Sequence, residues 1–253
     1  ASVGKAKSEA AGMQALAAKD QKDFKLAPWD WQFYSEKVKQ TQYKLDESQI
    51  KQYLLLDRVL QDGVFFAANK LYGITFKERH DLPVYHPDVR VFEVFDADGK
   101  SLALWYADYF KRDNKSGGAW EDNFVQQSTL LGTHTVAFNV CNFTKPAAGQ
   151  PALISYDDVI AMFHEFGHAL HDIFSATKYP TLSGTSTTRD FVEFPSSFNE
   201  HWADEPSVFA NYAKHYKTGE PMPAALLEKI KDAGTYGQGF ATTEYLSAAL
   251  LDQ

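Results

Sequence analysis

The sequence predicts a mainly α-helical fold with one small β-sheet, an α+β fold. Apolar residues recur at helical spacing over about residues 1–80 and again over 155–253. The stretch between them, about 84–145, is instead rich in β-branched and aromatic residues. With 253 residues, of which 44% are hydrophobic, the chain can bury a large core. Its length permits one large domain or two small ones.

The first helical region is best defined over residues 46–73. Its apolar side chains follow helical spacing, Asp46 or Ser48 is available near the start, and Gly73 stands at the predicted stop. In the β-rich region, "DADGK" contains the Asp-Gly pair favoured in tight turns, so a hairpin is expected around it. "THTVAFNVCNF" predicts a further strand.

Charge and cysteine content narrow the possible partners and location. The formal net charge of -8 argues against non-specific binding to nucleic acid, which requires a basic surface. No apolar run reaches the roughly 18 residues of a membrane-spanning helix. Cys141 is the single cysteine, which excludes an intrachain disulfide and suits a reducing compartment. We expect a cytoplasmic location. A periplasmic one stays open, because the chain starts at Ala1 rather than at methionine.

A long helix is predicted to begin at Tyr156. Ser155 and Asp158 have the spacing of a capping box, and Pro180 bounds the far end. One apolar stripe would bury this helix; its members are Val159, Phe163, Phe166, Leu170 and Ile173.

The same helix carries a His-Glu-x-x-His motif at residues 164–168. His164 and His168 lie one turn apart, so both imidazoles can bind one zinc ion, with Glu165 placed to act as a general base. His171 lies roughly 10 Å from His164 along the axis and cannot bind the same ion. A buried structural helix with satisfied histidines is the alternative. That alternative does not explain why a largely buried helix would carry Glu165 without a partner cation.

A catalytic zinc site needs a third protein ligand. The metzincin pattern is excluded, because its glycine and third histidine are replaced by His171 and Phe174. The acidic segment that follows offers other candidates, namely Asp190, Glu193, Glu200 and His201. Pro195 is compatible with a helix here if it lies in the first turn. Glu193 and Glu200 would share a face, and spacing alone leaves open which binds the metal and which orients a histidine.

Two motifs together resemble a known family. "FHEFGHALH" followed by "LSGTSTTRDFVEFPSSFNEHWA" is similar to the zinc metallopeptidases that include thimet oligopeptidase, oligopeptidase A and bacterial peptidyl-dipeptidase. "NVCNFTKPAAGQPAL" and "VEFPS" favour the peptidyl-dipeptidase (dipeptidyl carboxypeptidase) branch. The resemblance runs from about Trp29 to the end. It implies a zincin-like catalytic core and one zinc ion, with Glu193 as third ligand and Glu200 as a carboxylate that orients a ligating histidine.

The resemblance also implies that the chain is a fragment. Full-length relatives have a long helical region before this segment and a loop after it whose Tyr and His stabilise the oxyanion. Residues 1–253 are then part of one catalytic metallopeptidase domain that lacks N- and C-terminal portions. We expect such a fragment to bind zinc and to be poorly active alone. Its oligomeric state is left undetermined.

The predicted activity is zinc-dependent hydrolysis of short peptides, with release of C-terminal dipeptides. Internal cleavage of oligopeptides is the alternative within the family. A non-catalytic zinc-binding or peptide-binding module is the alternative outside it. An extended peptide could add to "THTVAFNVCN" if that strand lies at a sheet edge, which would make Ala137 and Phe138 substrate-binding residues. An ordinary interior strand is the competing interpretation.

Overall fold

The computed structural model of the protein describes residues 1–44 and 46–253. It has an α+β fold, as predicted. The α-helices are α1 (Ser2–Asp20), α2 (Trp31–Val38), α3 (Glu47–Lys51), α4 (Leu56–Arg58), α5 (Phe66–Tyr72), α6 (Tyr156–Ile173), α7 (Glu193–Glu200), α8 (Pro206–Tyr212), α9 (Ala224–Gly234) and α10 (Gln238–Asp252). The strands are β1 (Thr75–Glu78), β2 (Arg90–Phe95), β3 (Ser101–Phe110), β4 (Trp120–Val125) and β5 (Thr135–Phe143).

The chain divides into two compact units. The first comprises residues 1–49 and 222–253, and the second residues 50–221. In the first unit, α1 packs against α10, and the Glu9 carboxylate accepts hydrogen bonds from the backbone N–H groups of Gly239 and Phe240 at 3.1 and 3.0 Å. A carboxylate at this end stabilises α10, because its first N–H groups have no partner within the helix. That all of these residues belong to one catalytic domain stays a prediction.

The second unit contains a five-stranded mixed sheet in the order β1-β2-β3-β5-β4. The predicted hairpin is confirmed: β2 and β3 are antiparallel, and Gly99 takes a φ of 82° in the turn between them. β5, also predicted, pairs parallel to β3 and antiparallel to β4.

The edge-strand interpretation of β5 is wrong. Ala137 pairs with both Trp105 and Asn123, and Phe138 pairs with Tyr106 and Asp122, so neighbours lie on both sides. The hydrogen-bonding groups along β5 are therefore committed to the sheet. Ala137 and Phe138 cannot receive an added strand, and β4 is the edge next to them.

Helix α6 begins at Tyr156, as predicted. The Ser155 hydroxyl accepts a hydrogen bond from the Asp158 N–H at 3.0 Å, and the Asp158 carboxylate accepts one from the Ser155 N–H at 2.9 Å. All five residues of the apolar stripe are buried. On the sheet side Phe166 packs edge-on against Trp105 of β3, with ring centroids 5.0 Å apart. The cap and the stripe together fix the position of this helix.

The sequence pattern missed two strands and overestimated the continuity of one helix. β1 lies inside the region expected to be helical, and β4 lies in a stretch for which no strand was predicted. Residues 46–73 form short helical pieces that include a π-helical turn at Val59–Phe65, and they end at Gly73 with φ 76°. Glycine adopts this left-handed conformation without steric cost.

In the described part of the chain, no helix combines the length and apolarity needed to cross a membrane.

Candidate metal centre

The two histidines of the motif lie on one face of α6, one turn apart. Their ring centroids are 5.0 Å apart. His168 is buried, and burial lowers the pKa of its imidazole, although the charge of Glu193 acts in the opposite direction. A neutral imidazole is the form that binds a metal.

Glu193 approaches both histidines from the start of α7. Its Oε2 lies 3.3 Å from His164 Nε2 and 3.1 Å from His168 Nε2. Burial acts to raise the pKa of Glu193, but a hydrogen bond from Ser196 and the charges of His168 and His164 outweigh it and lower the pKa. The carboxylate is therefore ionised where two imidazole nitrogens converge on it.

These separations suit a small tetrahedral cation. Three donor atoms, one each from His164, His168 and Glu193, lie within 4.8 Å of one another. For bonds of about 2.0 to 2.1 Å, the donors of a tetrahedral site are about 3.3 Å apart. The two nitrogen–oxygen distances match that edge length. Two imidazoles and one carboxylate also form a ligand set typical of catalytic zinc.

Glu200 contacts the opposite nitrogen of His164. Its Oε1 lies 2.6 Å from His164 Nδ1. A hydrogen bond there fixes the ring orientation and leaves Nε2 directed at Glu193. His168 differs, since its Nδ1 is buried with no hydrogen-bond partner among the described residues.

Glu165 lies between the two histidines in sequence and is buried. Burial raises the pKa of its carboxyl to about 7; His164 acts more weakly to lower this pKa, and the charge of Glu193 acts to raise it further. Within the part of the chain that the structure describes, its Oε2 has no hydrogen-bond partner. The backbone carbonyl of Glu165 accepts a 2.8 Å hydrogen bond from Asn139 of β5, which ties the motif to the sheet. A carboxyl with a pKa near neutrality suits proton transfer.

Two residues not predicted from the sequence bring α7 against α6. A side-chain carbon at Gly167 would lie 2.7 Å from the Ser196 Cα, so only glycine allows this approach. Asn199 donates a 2.6 Å hydrogen bond to the Phe163 carbonyl. One sign of this close packing was present in the sequence: Gly167 stands in the interior of a predicted helix, where a glycine often marks a close approach of another element.

The remaining candidates do not join the group. Of the described residues, only His164, His168 and Glu193 come together as metal-binding side chains, so Asp190 and His201 do not. His171 packs edge-on against Phe191, with ring centroids 6.1 Å apart. Helix α7 begins at Glu193, and Pro195 lies in its first turn, the position at which proline is compatible with a helix.

In the described part of the chain, a smaller and a larger cavity adjoin α6. The smaller, about 250 Å³, contains His164, Glu165, His168 and Glu193 together with Trp120 and Glu121 of β4, its remaining walls being Ala119, Thr185 and Val192. The larger, about 570 Å³, has mainly apolar walls that include Leu170, Phe191 and Phe194. The three side chains that could bind a metal, His164, His168 and Glu193, all line the smaller cavity.

Comparison with known proteins identifies the family of the chain. The sequence model of Peptidase family M3 matches residues 1–253. The chain belongs to Peptidase family M3.

Its relatives include two kinds of bacterial peptidase. The chain is 57% identical over 248 residues to a dipeptidyl carboxypeptidase of Escherichia coli, covering 98% of this chain and 36% of that protein. It is 40% identical over 248 residues to oligopeptidase A of the same organism, and that match covers 96% of this chain and 36% of oligopeptidase A. A mitochondrial intermediate peptidase of Aspergillus clavatus is 30% identical over 282 residues, and that match covers 94% of this chain and 35% of the peptidase. The chain thus spans about a third of the length of these relatives, and the predicted family resemblance is confirmed.

Proposed function

We propose that the protein is a zinc-dependent peptidase in which His164, His168 and Glu193 bind the metal. The observation that carries this proposal is the approach of both Nε2 atoms to one Glu193 oxygen at 3.1 and 3.3 Å. Zinc bound there would polarise the substrate carbonyl as a Lewis acid and lower the pKa of a water molecule.

In this proposal Glu165 is the general base. Its carboxylate accepts the proton of the attacking water and returns it to the nitrogen of the leaving amine. The raised pKa supports this role, because the group can hold the proton between the two steps at neutral pH. Glu200 keeps His164 in the orientation that presents Nε2 to the metal.

The peptide is proposed to bind along β4. This strand is the edge of the sheet, and its residues Trp120 and Glu121 line the cavity that contains Glu165. An extended substrate can add to such an edge through main-chain hydrogen bonds. This replaces the earlier expectation for Ala137 and Phe138, which lie in the interior strand.

The proposed substrates are short peptides, from which the enzyme releases C-terminal dipeptides. The 57% identity to a protein named dipeptidyl carboxypeptidase supports this choice. Internal cleavage is the second candidate, supported by the 40% identity to oligopeptidase A. Peptides with free and amidated C-termini separate the two, since only an internal cleavage tolerates the amide. A cytoplasmic location is part of the proposal and rests on the single cysteine.

The test compares two variants of the complete protein. We expect Glu165→Gln to keep one zinc per chain and to lower kcat by about 10²-fold or more, because it removes the proton acceptor. His168→Ala should lose the zinc itself, because two ligands remain. Metal content is measured by elemental analysis and cleavage by chromatography. Cleavage at the wild-type rate by Glu165→Gln, or zinc retained by His168→Ala, contradicts the proposal.

A further inference from the structure

The loop between β3 and β4, residues 111–119, is held by a buried lysine. The Lys115 side chain is 5% exposed, and its ammonium lies 3.2 Å from Asp108 Oδ1. The ammonium also donates to the backbone carbonyls of Phe110 at 2.9 Å, of Asp108 at 3.2 Å and of Cys141. Because an ammonium has three hydrogens, each of them has an acceptor here. The middle of the loop is therefore tied to the ends of β3 and β5.

The carboxylate that faces this ammonium is fully engaged. Asp108 is 1% exposed. Its two oxygens accept hydrogen bonds from the Arg112 guanidinium at 2.7 and 2.6 Å, and Oδ2 accepts another from the Tyr85 hydroxyl at 2.9 Å. Separation of such a pair leaves an uncompensated buried charge. The network therefore opposes movement of the first half of the loop.

An asparagine of β5 holds the second half of the loop. The Asn142 side-chain amide donates to the Ser116 carbonyl at 2.7 Å and to the Gly118 carbonyl at 2.8 Å. These two residues flank Gly117. A side-chain carbon at Gly117 or Gly118 would meet no atom within 4 Å, so close packing does not constrain the backbone here. The amide of Asn142 supplies a constraint that packing does not.

The loop leads directly into one wall of the metal centre. Ala119, Trp120 and Glu121 follow the two glycines and line the cavity that contains Glu165. β4 is the edge of the sheet and pairs with β5 on one side. Its other side, along which the peptide is proposed to bind, presents unpaired backbone groups. The position at which β4 begins therefore depends on the loop as well as on β5.

We propose that Lys115 and Asn142 are positioning residues for peptide binding: together they hold the loop against the ends of β3 and β5 and so set where β4 begins beside the metal centre. Neither is among the described residues that line the metal-centre cavity, so both act through the loop. The anchoring of the loop is independent of the proposed function. Its effect on the peptide rests on that function.

The contribution to peptide binding is expected in KM. Main-chain hydrogen bonds to β4 form when the peptide binds and persist in the transition state, so a misplaced strand weakens both states alike. Such a loss raises KM and leaves kcat nearly unchanged. Loss of the general base Glu165 would instead lower kcat. The two kinds of defect are therefore separable by kinetics.

The direct test is hydrogen–deuterium exchange of the complete protein without peptide, measured by mass spectrometry. We expect Asn142→Ala to speed exchange over residues 116–125 by about tenfold or more and to leave α6 unchanged. Asn142→Asp should be no better than alanine, because a carboxylate of the same size cannot donate to the two carbonyls. Asn114→Ala is the matched control. Asn114 is exposed in the same loop, so this variant should exchange like the wild type.

Lys115→Met tests the buried anchor in the same experiment. Methionine keeps most of the length of the side chain but removes the ammonium, so the carbonyls and the Asp108 carboxylate lose a donor. We expect exchange over residues 111–125 to rise by more than in Asn142→Ala, because the lost contacts are buried. Lys111→Met, at an exposed position of the loop, is the matched control. Wild-type exchange in Lys115→Met or in Asn142→Ala overturns the anchoring role of that residue.

The functional test measures KM and kcat of Asn142→Ala for a short peptide. We expect KM to rise by about threefold to tenfold and kcat to stay within about twofold of the wild type, with wild-type values for Asn114→Ala. Faster exchange with an unchanged KM overturns the positioning role. An inactive complete protein in which Asn142→Ala still speeds exchange of the loop contradicts the proposed function and supports the anchoring. The two proposals therefore fail in different measurements.

Discussion

The two helices that meet at the metal centre are positioned in different ways. α6 is an 18-residue helix with a side-chain cap at its start and a continuous buried stripe against the sheet. α7 has eight residues, no side-chain cap, and only Ser196 and Asn199 buried. Its phenylalanines Phe194 and Phe198 are 63% and 47% exposed. The core therefore fixes the two histidines, whereas the position of Glu193 depends mainly on the contact between α7 and α6.

The largest effect on this contact is expected from Gly167→Ala. The new methyl group would meet Ser196, Asn199 and the Pro195 carbonyl at 2.7 to 2.8 Å, so α7 must move. We expect the free energy of unfolding to fall by about 1 to 3 kcal/mol, although alanine normally favours a helix. Urea unfolding measures this loss of stability. The affinity for zinc should also fall, because Glu193 is displaced together with α7.

Gly12→Ala in α1 is the matched control. A side-chain carbon at Gly12 meets no atom within 4 Å. The same exchange should therefore stabilise the protein by up to about 1 kcal/mol. If Gly167→Ala were equally stabilising, α7 would not depend on close packing against α6.

A smaller effect is expected from Glu200→Gln. The variant keeps the shape of the side chain but weakens the 2.6 Å contact that orients His164. Loss of such an orienting carboxylate typically lowers metal affinity by about 10- to 100-fold. Competition with a chelator of known affinity measures the change. An unchanged zinc affinity would show that the helix alone orients His164.

The smallest effect is expected from Phe194→Ser. This ring is 63% exposed, so its removal from the 253-residue chain should change the free energy of unfolding by no more than about 0.5 kcal/mol. Phe163→Ser, at a fully buried position of α6, should cost several kcal/mol in the same urea titration. Similar losses for the two variants would remove the contrast between the helices.

The features that follow from local sequence were predictable. The start of α6, its buried stripe and the exclusion of His171 each depend on residues within one helix. The hairpin of β2 and β3 was predictable for the same reason, because "DADGK" determines the turn locally.

Long-range contacts were not predictable. Spacing could not separate Glu193 from Glu200, and the structure shows why: both reach His164, at opposite ring nitrogens. β4 has the mixed polar pattern of a strand with one unpaired side, so "WEDNFV" lacks the apolar run that marked β5. The hydrogen bond from Asn123 of β4 to Asp172 of α6 joins residues far apart in sequence, and no local pattern reports it.

The strand order also constrains how the sheet assembles. β5 lies between β3 and β4, although it follows both in the chain. β3 and β4 consequently cannot close into a hairpin, whereas β4 and β5 can pair early through the short connection between them. We expect the parallel pairing of β3 with β5 to form after the pairing of β4 with β5, because it closes a larger loop. Until that step the backbone groups of β3 that face β5 are unpaired, which makes this strand the segment most exposed to mispairing with other chains during refolding.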